Sequence, residues 1–457
     1  MIPNLPEQFQ EAMKQLLGTQ EYPAFLASYD RPVRAGIRVN TLKCNIAEFM
    51  ENAPFHLEAI PWIENGFYYD EADAPSHHPW YYAGMFYLQE PSAMTPASLL
   101  PVEKGDLVLD LCAAPGGKAT ELGARLKGTG FLLANDISNS RARALLRNLE
   151  RFGIGNMAVC SESPETLLKF FPETFDKILI DAPCSGEGMF HKEPQMTRFW
   201  EEHGPAYYSA IQKKLILQAA DMLKPGGMLL FSTCTFAPEE NEGTVAWLLK
   251  NRPEFSLCDV KRYEKFAPGL APFEKAVRIY PQRMDGEGHF AVLFRKNGQK
   301  PEKITVKKGR GKEKTAGLPD CALEFLQPLL TAECFSGEGT WRLKNDQLYY
   351  IVSQPITEKR LRFLRTGLLA GECKKNRFEP SQALAMALKK EEFPLTVSFS
   401  ASDPRSVRYL KGETVDVPEM DGKKGWILVC VDDCPMGFGK LDRGRIKNKY
   451  NAGWRML

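Results

Sequence analysis

The sequence predicts an α/β fold, a doubly wound sheet in the middle of the chain with an N-terminal α+β extension before it and mostly β or α+β segments after it. Three observations predict it. Short apolar runs alternate with helical patterns between residues 107 and 295. The length of 457 residues exceeds one ordinary core, so two to four domains are expected. The charge balance changes sign near Arg295, which marks the end of one unit.

In residues 1–100, helical periodicity runs from Glu7 to Leu17 and an aromatic-rich stretch from Trp80 to Tyr87. Residues 101–295 hold five apolar runs short enough for buried strands: Leu107 to Leu111, Phe131 to Ala134, Lys177 to Ile180, Met228 to Ser232 and His289 to Phe294. Helical patterns fall between them at Ser140 to Phe152, Tyr208 to Leu223 and Pro238 to Lys250, with Lys224-Pro225-Gly226-Gly227 as a stop signal. Residues 296–318 read as a basic flexible linker, because Lys296 to Lys314 carries eight basic residues and almost no apolar ones. Residues 319–395 mix short strands with a helical piece near Ser381 to Lys390, and residues 396–457 read as mostly β.

A hydrophobic share of 44% and a charged share of 25% are those of a soluble globular protein. With no secretory leader and no run of eighteen uncharged apolar residues, a cytoplasmic protein is expected. Eleven cysteines, without zinc-site spacing or disulfide-scaffold density, read as mostly reduced thiols, and no metal is expected. From Arg295 onward there are 31 Lys and Arg against 20 Asp and Glu, a net of +11; residues 1–294 carry 28 against 37, a net of −9. A basic half on an acidic one suits contact with a polyanion, although the same charges also serve as ordinary solvated surface.

Residues 108–120 (VLDLCAAPGGKAT) run from an apolar strand through a small-residue turn into a helix. Glycines let a backbone approach a ligand closely, and the following helix start offers unpaired N–H groups. The spacing is neither that of a dinucleotide fingerprint nor that of a phosphate-binding P-loop. A second strand ends at Asp136, where a carboxylate can accept hydrogen bonds from both hydroxyls of a ribose, so an adenosine-containing cofactor is expected. The structural alternative is that Gly116 and Gly117 make a tight turn and Asp136 caps the next helix.

Two further strands end in DAPCSG (181–186) and STCT (232–235). Ligands of open parallel sheets sit beyond the carboxyl ends of the strands, so Cys184 and Cys234 both stand where chemistry occurs. If the two strands are neighbours, their backbones lie about 4.8 Å apart and both sulfurs reach one substrate ring. A thiolate added to carbon 6 of a cytosine makes carbon 5 nucleophilic enough to take a methyl group, and a second thiol aids the later elimination. Asp181, kept partly protonated by burial, is expected to supply a proton or hydrogen bond to the ring's N3. Lys118 either lowers a thiol pKa or holds Asp181 in place. Set against this, a lone cysteine after a strand is usually inert core.

The blocks DLCAAPGGK (110–118), DAPCSGEG (181–188) and STCTFAPEENE (232–242) resemble the signature blocks of the Sun-type RNA cytosine-5 methyltransferases. GIRVNT (36–41) and YLQEPSAM (87–94) are similar to that family's N-terminal blocks, so the resemblance spans residues 31–295. The tail, MGFGK (436–440) through KNKY (447–450), resembles the RNA-binding end of the bacterial RsmF-like branch, with a PUA-like domain over residues 396–457. The resemblance implies a Rossmann-like sheet that uses S-adenosylmethionine. It implies Cys234 as the nucleophile and Cys184 as the aid to product release. It places the cofactor on Cys112, Ala113, Ala114, Pro115, Gly116, Gly117 and Lys118, on Asp136, and near Arg141 and Asp181. Many relatives carry an Asp near the adenine after the third strand; here the chain reads SESP (161–164), so Ser163 or Glu162 stands in that place. The implied substrate is small-subunit ribosomal RNA near the decoding region, as naked RNA or within the subunit, acted on by a monomer.

Methylation of an exocyclic amine calls for two prolines and an aromatic residue where Pro183 is followed by Cys184, and is disfavoured. DNA methylation is disfavoured by the second cysteine and the tail. An RNA-binding ribosome-assembly factor with an idle methyltransferase fold has no need of Cys184, Cys234, Lys118 and Asp181 together. His77, His78 and the rings from Trp80 to Tyr87 either stack on RNA bases or pack a domain interface. His191 and Lys192 lie on a loop that either touches the target nucleotide or is solvated.

Overall fold

A computed structural model describes residues 5–299, 317–352, 360–375 and 377–456. Most of the basic stretch between the central and C-terminal parts, residues 300–316, lies outside the described residues.

The chain starts with a helix, Glu7–Ser28, bent at Gly18, and a four-stranded antiparallel sheet: β1 (Gly36–Val39), β2 (Leu57–Ala59), β3 (Gly66–Tyr69) and β4 (Phe86–Gln89), in the order β2-β3-β1-β4. A further helix, Pro91–Leu99, leads into the central sheet. Its strands are β5 (Leu107–Asp110), β6 (Phe131–Asn135), β7 (Met157–Cys160), β8 (Phe175–Asp181) and β9 (Leu223–Thr233), then β10 (Phe255–Leu257), β11 (Ala267–Pro268), β12 (Val277–Ile279) and β13 (His289–Lys296). β7, β6, β5, β8 and β9 lie side by side in parallel, and β13 follows antiparallel to β9 with β12 and β11 beyond it. Order reverses between β5 and β8, the switch point at which open α/β sheets bind ligands.

Buried strands of this kind need both faces covered, and the core shows it. Leu109, Leu133, Ile178, Ile180, Leu229 and Phe231 point into one apolar layer, while their neighbours Val108, Leu132, Leu179 and Leu230 point into the other. The strand Met157–Cys160, too short to stand out among the apolar runs, is the third parallel strand. The helix expected to stop at Lys224 starts earlier, at Met196, bends at Gly204 and ends at Met222. Lys224 to Gly227 instead form an irregularity at the start of β9, where pairing jumps from Phe175–Leu223 to Lys177–Met228.

After the central unit come β14 (Gly339–Lys344), β15 (Gln347–Val352), β16 (Phe363–Thr366), β17 (Leu368–Lys374) and β18 (Arg377–Pro380). Four of them make the sheet β14-β15-β17-β18, but β16 leaves it and pairs antiparallel with β7. The C-terminal part thereby supplies the edge strand of the central sheet, covering N–H and C=O groups that β7 would otherwise leave bare. The last sheet holds β19 (Thr396–Phe399), β20 (Val415–Asp416), β21 (Gly425–Val431), β22 (Cys434–Asp442) and β23 (Arg445–Asn448), in the order β19-β21-β22-β23-β20.

Both ends of the chain share one core. Ile37, Phe49, Trp80 and Phe86 pack with Phe399, Val429, Met436 and Trp454, and the Trp80 indole donates to Asp432 at 2.7 Å. Of the two roles open to the aromatic stretch, packing an interface is the one this arrangement serves. A cavity of about 1270 Å³ lies at this seam, with Lys43, Trp80, Gly153 and Ser398 on its wall, and none of the residues expected to do chemistry line it. No helix among the described residues is long and apolar enough to cross a membrane, and no group of three or more metal-capable side chains occurs among them. All eleven cysteines are free thiols.

Candidate active site

β8 and β9 are neighbours with Asp181 opposite Ser232, and each strand delivers a cysteine just past its end. Cys184 Sγ lies 3.3 Å from Cys234 Sγ, so one pyrimidine ring can meet both sulfurs. Contact with the Cys234 sulfur, and after it burial, push the Cys184 thiol well above its ordinary value. Cys184 is therefore held with its proton at neutral pH.

Asp181 closes the same rim. It accepts from Lys118 Nζ at 2.7 Å and from Ser232 Oγ at 2.9 Å, and His289 Nε2 lies 3.4 Å from its other side. Burial alone pushes this carboxyl up, but the Lys118 ammonium, with His289 adding to it, outweighs burial and holds it well below the usual carboxylate range. The expectation of a partly protonated Asp181 is thus corrected: it is an anion at neutral pH, because burial came with a cation in contact. Lys118 holds Asp181 rather than tuning a thiol. Neither Ser232 nor His289 stood out in the sequence. The antiparallel strand that brings His289 to β9 is separated from it by some fifty residues with no motif to tie the two together.

The loop Cys112 to Gly116 connects β5 to the helix Gly117–Arg125. Gly116 has φ +116°, in the region that favours glycine, and no side chain caps the first N–H groups of the helix. A Cβ at Gly117 would stand 2.9 Å from the Gln89 amide of β4, so the loop is pressed onto the N-terminal sheet. Arg141 Nη2 donates to the Ala114 carbonyl at 2.8 Å and lies 3.4 Å from Asp136, which ties the loop to the end of β6. Asp136 Oδ1 also accepts from the Ser138 N–H at 2.9 Å, so this side chain shapes the turn as well as facing the rim. Cys112 is pushed up by burial and stays a thiol.

An adenosine-type cation fits this rim on an independent observation. Asp110 is fully buried at the end of β5, neither of its carboxyl oxygens has a donor of good geometry among the described residues, and burial, with Asp181 nearby, pushes it up to about 8. A buried carboxyl without a cation in contact is costly, and a cationic ligand above it relieves that cost. Ile137, directly after Asp136, is 69% exposed, the most exposed large apolar side chain among the described residues, and provides an open apolar surface beside Asp136. Sequence reading passed over it, although its place after Asp136 was a usable signal.

Ser163 and Glu162 are both engaged. Ser163 caps the helix Pro164–Phe170 by accepting from Thr166, and Glu162 takes the Arg362 N–H at 2.6 Å and approaches its guanidinium at 3.3 Å. His191 is not a solvated loop residue: Nδ1 lies 3.5 Å from Glu287 and its ring packs 5.5 Å from Tyr29.

Comparison with known proteins gives four family matches along the chain. Residues 5–91 match the N-terminal domain of 16S rRNA methyltransferase RsmF, and residues 97–295 match 16S rRNA methyltransferase RsmB/F. Residues 324–388 match the RsmF rRNA methyltransferase first C-terminal domain, and residues 396–456 the methyltransferase RsmF PUA domain. The chain is 34% identical to ribosomal RNA small subunit methyltransferase F of Vibrio cholerae, covering 98% of this chain and 97% of that one. To the protein of the same description from Citrobacter koseri it is 31% identical, covering 97% and 95%. Among solved structures it resembles a methyltransferase homolog protein from Pyrococcus horikoshii at 28% identity and a TM-score of 0.54, over 64% of this chain and all of that one.

Proposed function

Since this chain belongs to the ribosomal RNA small subunit methyltransferase F family, an S-adenosylmethionine-dependent family of rRNA methyltransferases, we propose that it methylates carbon 5 of cytosine in 16S ribosomal RNA, near the decoding region, through a covalent cysteine adduct. The observation that carries this reading is the pair of sulfurs 3.3 Å apart at the ends of adjacent parallel strands, beside an ionised Asp181.

Bound S-adenosylmethionine supplies an electrophilic methyl group. Cys112, Ala113, Ala114, Pro115, Gly116 and Gly117 would hold it, Asp136 would accept from its ribose hydroxyls with Arg141 steadying the loop, and Ile137 with Ser163 or Glu162 would receive its adenine. Cys234 adds to carbon 6 of the cytosine, which turns carbon 5 into a nucleophile. Asp181, being anionic, accepts from the ring's exocyclic amine, and the Lys118 ammonium beside it faces the charge that the adduct builds. Cys184 keeps its proton during addition and acts in the elimination that frees the product.

A target cytosine inside a helix must swing out of the stack, at a cost of roughly a few kcal/mol. The basic C-terminal part offers phosphate contacts that give affinity, while folded surfaces choose the site. Bisulfite sequencing of small-subunit rRNA with and without the protein tests the reading: one or more 5-methylcytosines are expected to vanish without it, and an unchanged map rejects it.

A further inference from the structure

Asp181 receives three donors among the described residues, and they come from three parts of the sheet. Lys118 Nζ donates to Oδ2 at 2.7 Å from the helix after β5, Ser232 Oγ donates to Oδ1 at 2.9 Å from β9, and His289 Nε2 lies 3.4 Å from Oδ1 at the start of β13. A carboxyl held well below its usual range carries no proton, so both oxygens only accept, and the His289 nitrogen that faces it bears the hydrogen. An ionised carboxylate has about four lone-pair positions, two on each oxygen. Ser232 and His289 fill those of Oδ1, and Lys118 fills one of Oδ2. The acceptor left for a substrate is the second position on Oδ2, on a side chain that is 30% exposed at the rim.

His289 is built firmly into its place. β13 pairs with β9 from Phe290 opposite Thr233, so His289 stands one step further, at the end of β9 that carries Cys234, and Ile279 of β12 lies opposite it on the other side. The imidazole is 3% exposed. Gly288 before it has φ +114° and donates its N–H to Ser92 Oγ at 3.2 Å, and a Cβ added there would stand 2.5 Å from the Phe236 ring. A residue whose backbone is flanked by two strands and whose ring is buried has little freedom, and it passes that fixity to the carboxylate it contacts.

We propose that His289, assisted by Ser232, is a positioning residue that aims Asp181 and thereby sets the preference for cytosine over uracil. This rests on the reading of the site given above, in which Asp181 accepts from the exocyclic amine. With Oδ1 bonded twice, the carboxylate turns about its last bond only by giving up two hydrogen bonds, so the free position of Oδ2 keeps one direction. A cytosine presents an N–H donor there. A uracil presents a carbonyl oxygen, which sets two acceptors against each other and leaves the carboxylate without the bond it is aimed to make. His289 acts through Asp181 rather than on the nucleotide.

The test compares two substrates in one assay. Small ribosomal subunits carry rRNA with either cytidine or uridine at the position that bisulfite mapping assigns, and the full-length protein, in excess so that a slow uridine reaction is also read, transfers a radiolabelled methyl group from S-adenosylmethionine in single turnover. Wild type is expected to favour cytidine by about 10²-fold or more. His289→Phe keeps a buried ring and removes the donor, and is expected to lose about tenfold or more on cytidine while its uridine rate stays within about twofold of wild type. A defect in folding or in cofactor binding lowers both rates together and leaves their ratio alone, which separates aiming from a structural role. His289→Gln, whose side-chain amide also donates, is expected to recover most of the ratio. Should His289→Phe fail to fold, Ser232→Ala deletes a single hydroxyl and carries the same test, with the ratio expected to fall by about threefold. A ratio equal to wild type in the folded variants overturns the proposal. If wild type methylates neither base at carbon 5, the reading of the whole site falls; if it methylates cytidine and the variants keep its full preference, only the aiming role falls.

Discussion

At the carboxyl rim of the central sheet, the side chains that matter follow a strand end closely: Cys184 three residues after Asp181, Cys234 directly after Thr233, Asp136 directly after Asn135. Along the seams where the C-terminal part packs on the rest of the chain, contacts join residues far apart in sequence: Trp80 with Asp432, Glu162 with Arg362, Glu150 with Arg365. The rim concentrates reactive and charged groups that need not stabilise the fold, whereas the seams hold rings and ion pairs that need not take part in chemistry. A change at the rim should therefore remove activity and spare stability, and a change at a seam should do the reverse.

The largest effect is expected at the rim. Cys234→Ala should lower methyl transfer by roughly 10⁴-fold or more, as removal of a nucleophile does, while its melting temperature and S-adenosylmethionine affinity stay near wild type. Turnover by this variant in a radiolabelled-methyl assay would break the comparison at its strongest point. Cys184→Ala complements it, because addition and methyl transfer proceed but release stalls, leaving an RNA-bound band on a denaturing gel.

At the seam, Trp80→Ala removes a buried ring and strands Asp432 without its indole donor. Denaturant titration should show a loss of about 3–5 kcal/mol, the usual cost of deleting a large core aromatic. Under conditions where the variant is folded, tritium release from carbon 5 should remain within a fewfold of wild type. A large drop in that rate with unchanged stability would move the aromatic stretch from packing to substrate contact.

Legibility in the sequence follows the same division. The loops around Gly116, Cys184 and Cys234 are local objects, each a strand end followed by a turn, so residue order alone located them and the sheet beneath. The protonation of Asp181 was misread because burial was weighed without knowing that Lys118, 63 positions earlier, would lie in contact. β16 could not be foreseen within the central sheet, since Phe363–Thr366 carries no mark of the strand it joins. Glu240 sits inside a legible block, yet its buried contact with Gln212 becomes apparent only when the helix bearing Gln212 is packed against it.

A smaller effect is expected from Asp136→Ala, which should weaken S-adenosylmethionine by about tenfold, or ~1.4 kcal/mol, in calorimetry. Asp136 also accepts from Ser138 and faces Arg141, so part of any loss could come from a loosened loop. Asp136→Asn separates the two, because the amide keeps an oxygen for the turn but offers the ribose a poorer acceptor. Unchanged affinity in both variants would remove Asp136 from the cofactor site.

The smallest effect comes from two arginines four residues apart. Arg34 pairs with Glu58 at 2.7 Å and with Asp285 at 3.3 Å, and its guanidinium lies 3.8 Å from the centre of the Tyr68 ring. By number of contacts it looks as important as Arg38, which pairs with Glu121 at 3.2 Å and donates to Thr120 at 2.7 Å. Solvent decides between them. Glu58 is 69% exposed and Asp285 46%, whereas the Arg38 and Glu121 side chains are 1% and 6% exposed. Water and salt screen the first set, so Arg34→Ala should cost about 0–1 kcal/mol, less still at high salt. Arg38→Ala leaves Glu121 buried with only Arg125 as a cation partner among the described residues, and should cost about 3–5 kcal/mol. Equal losses in thermal melts would mean that this seam is more hydrated than its burial implies, and the contrast between rim and seam would then rest on the aromatic core alone.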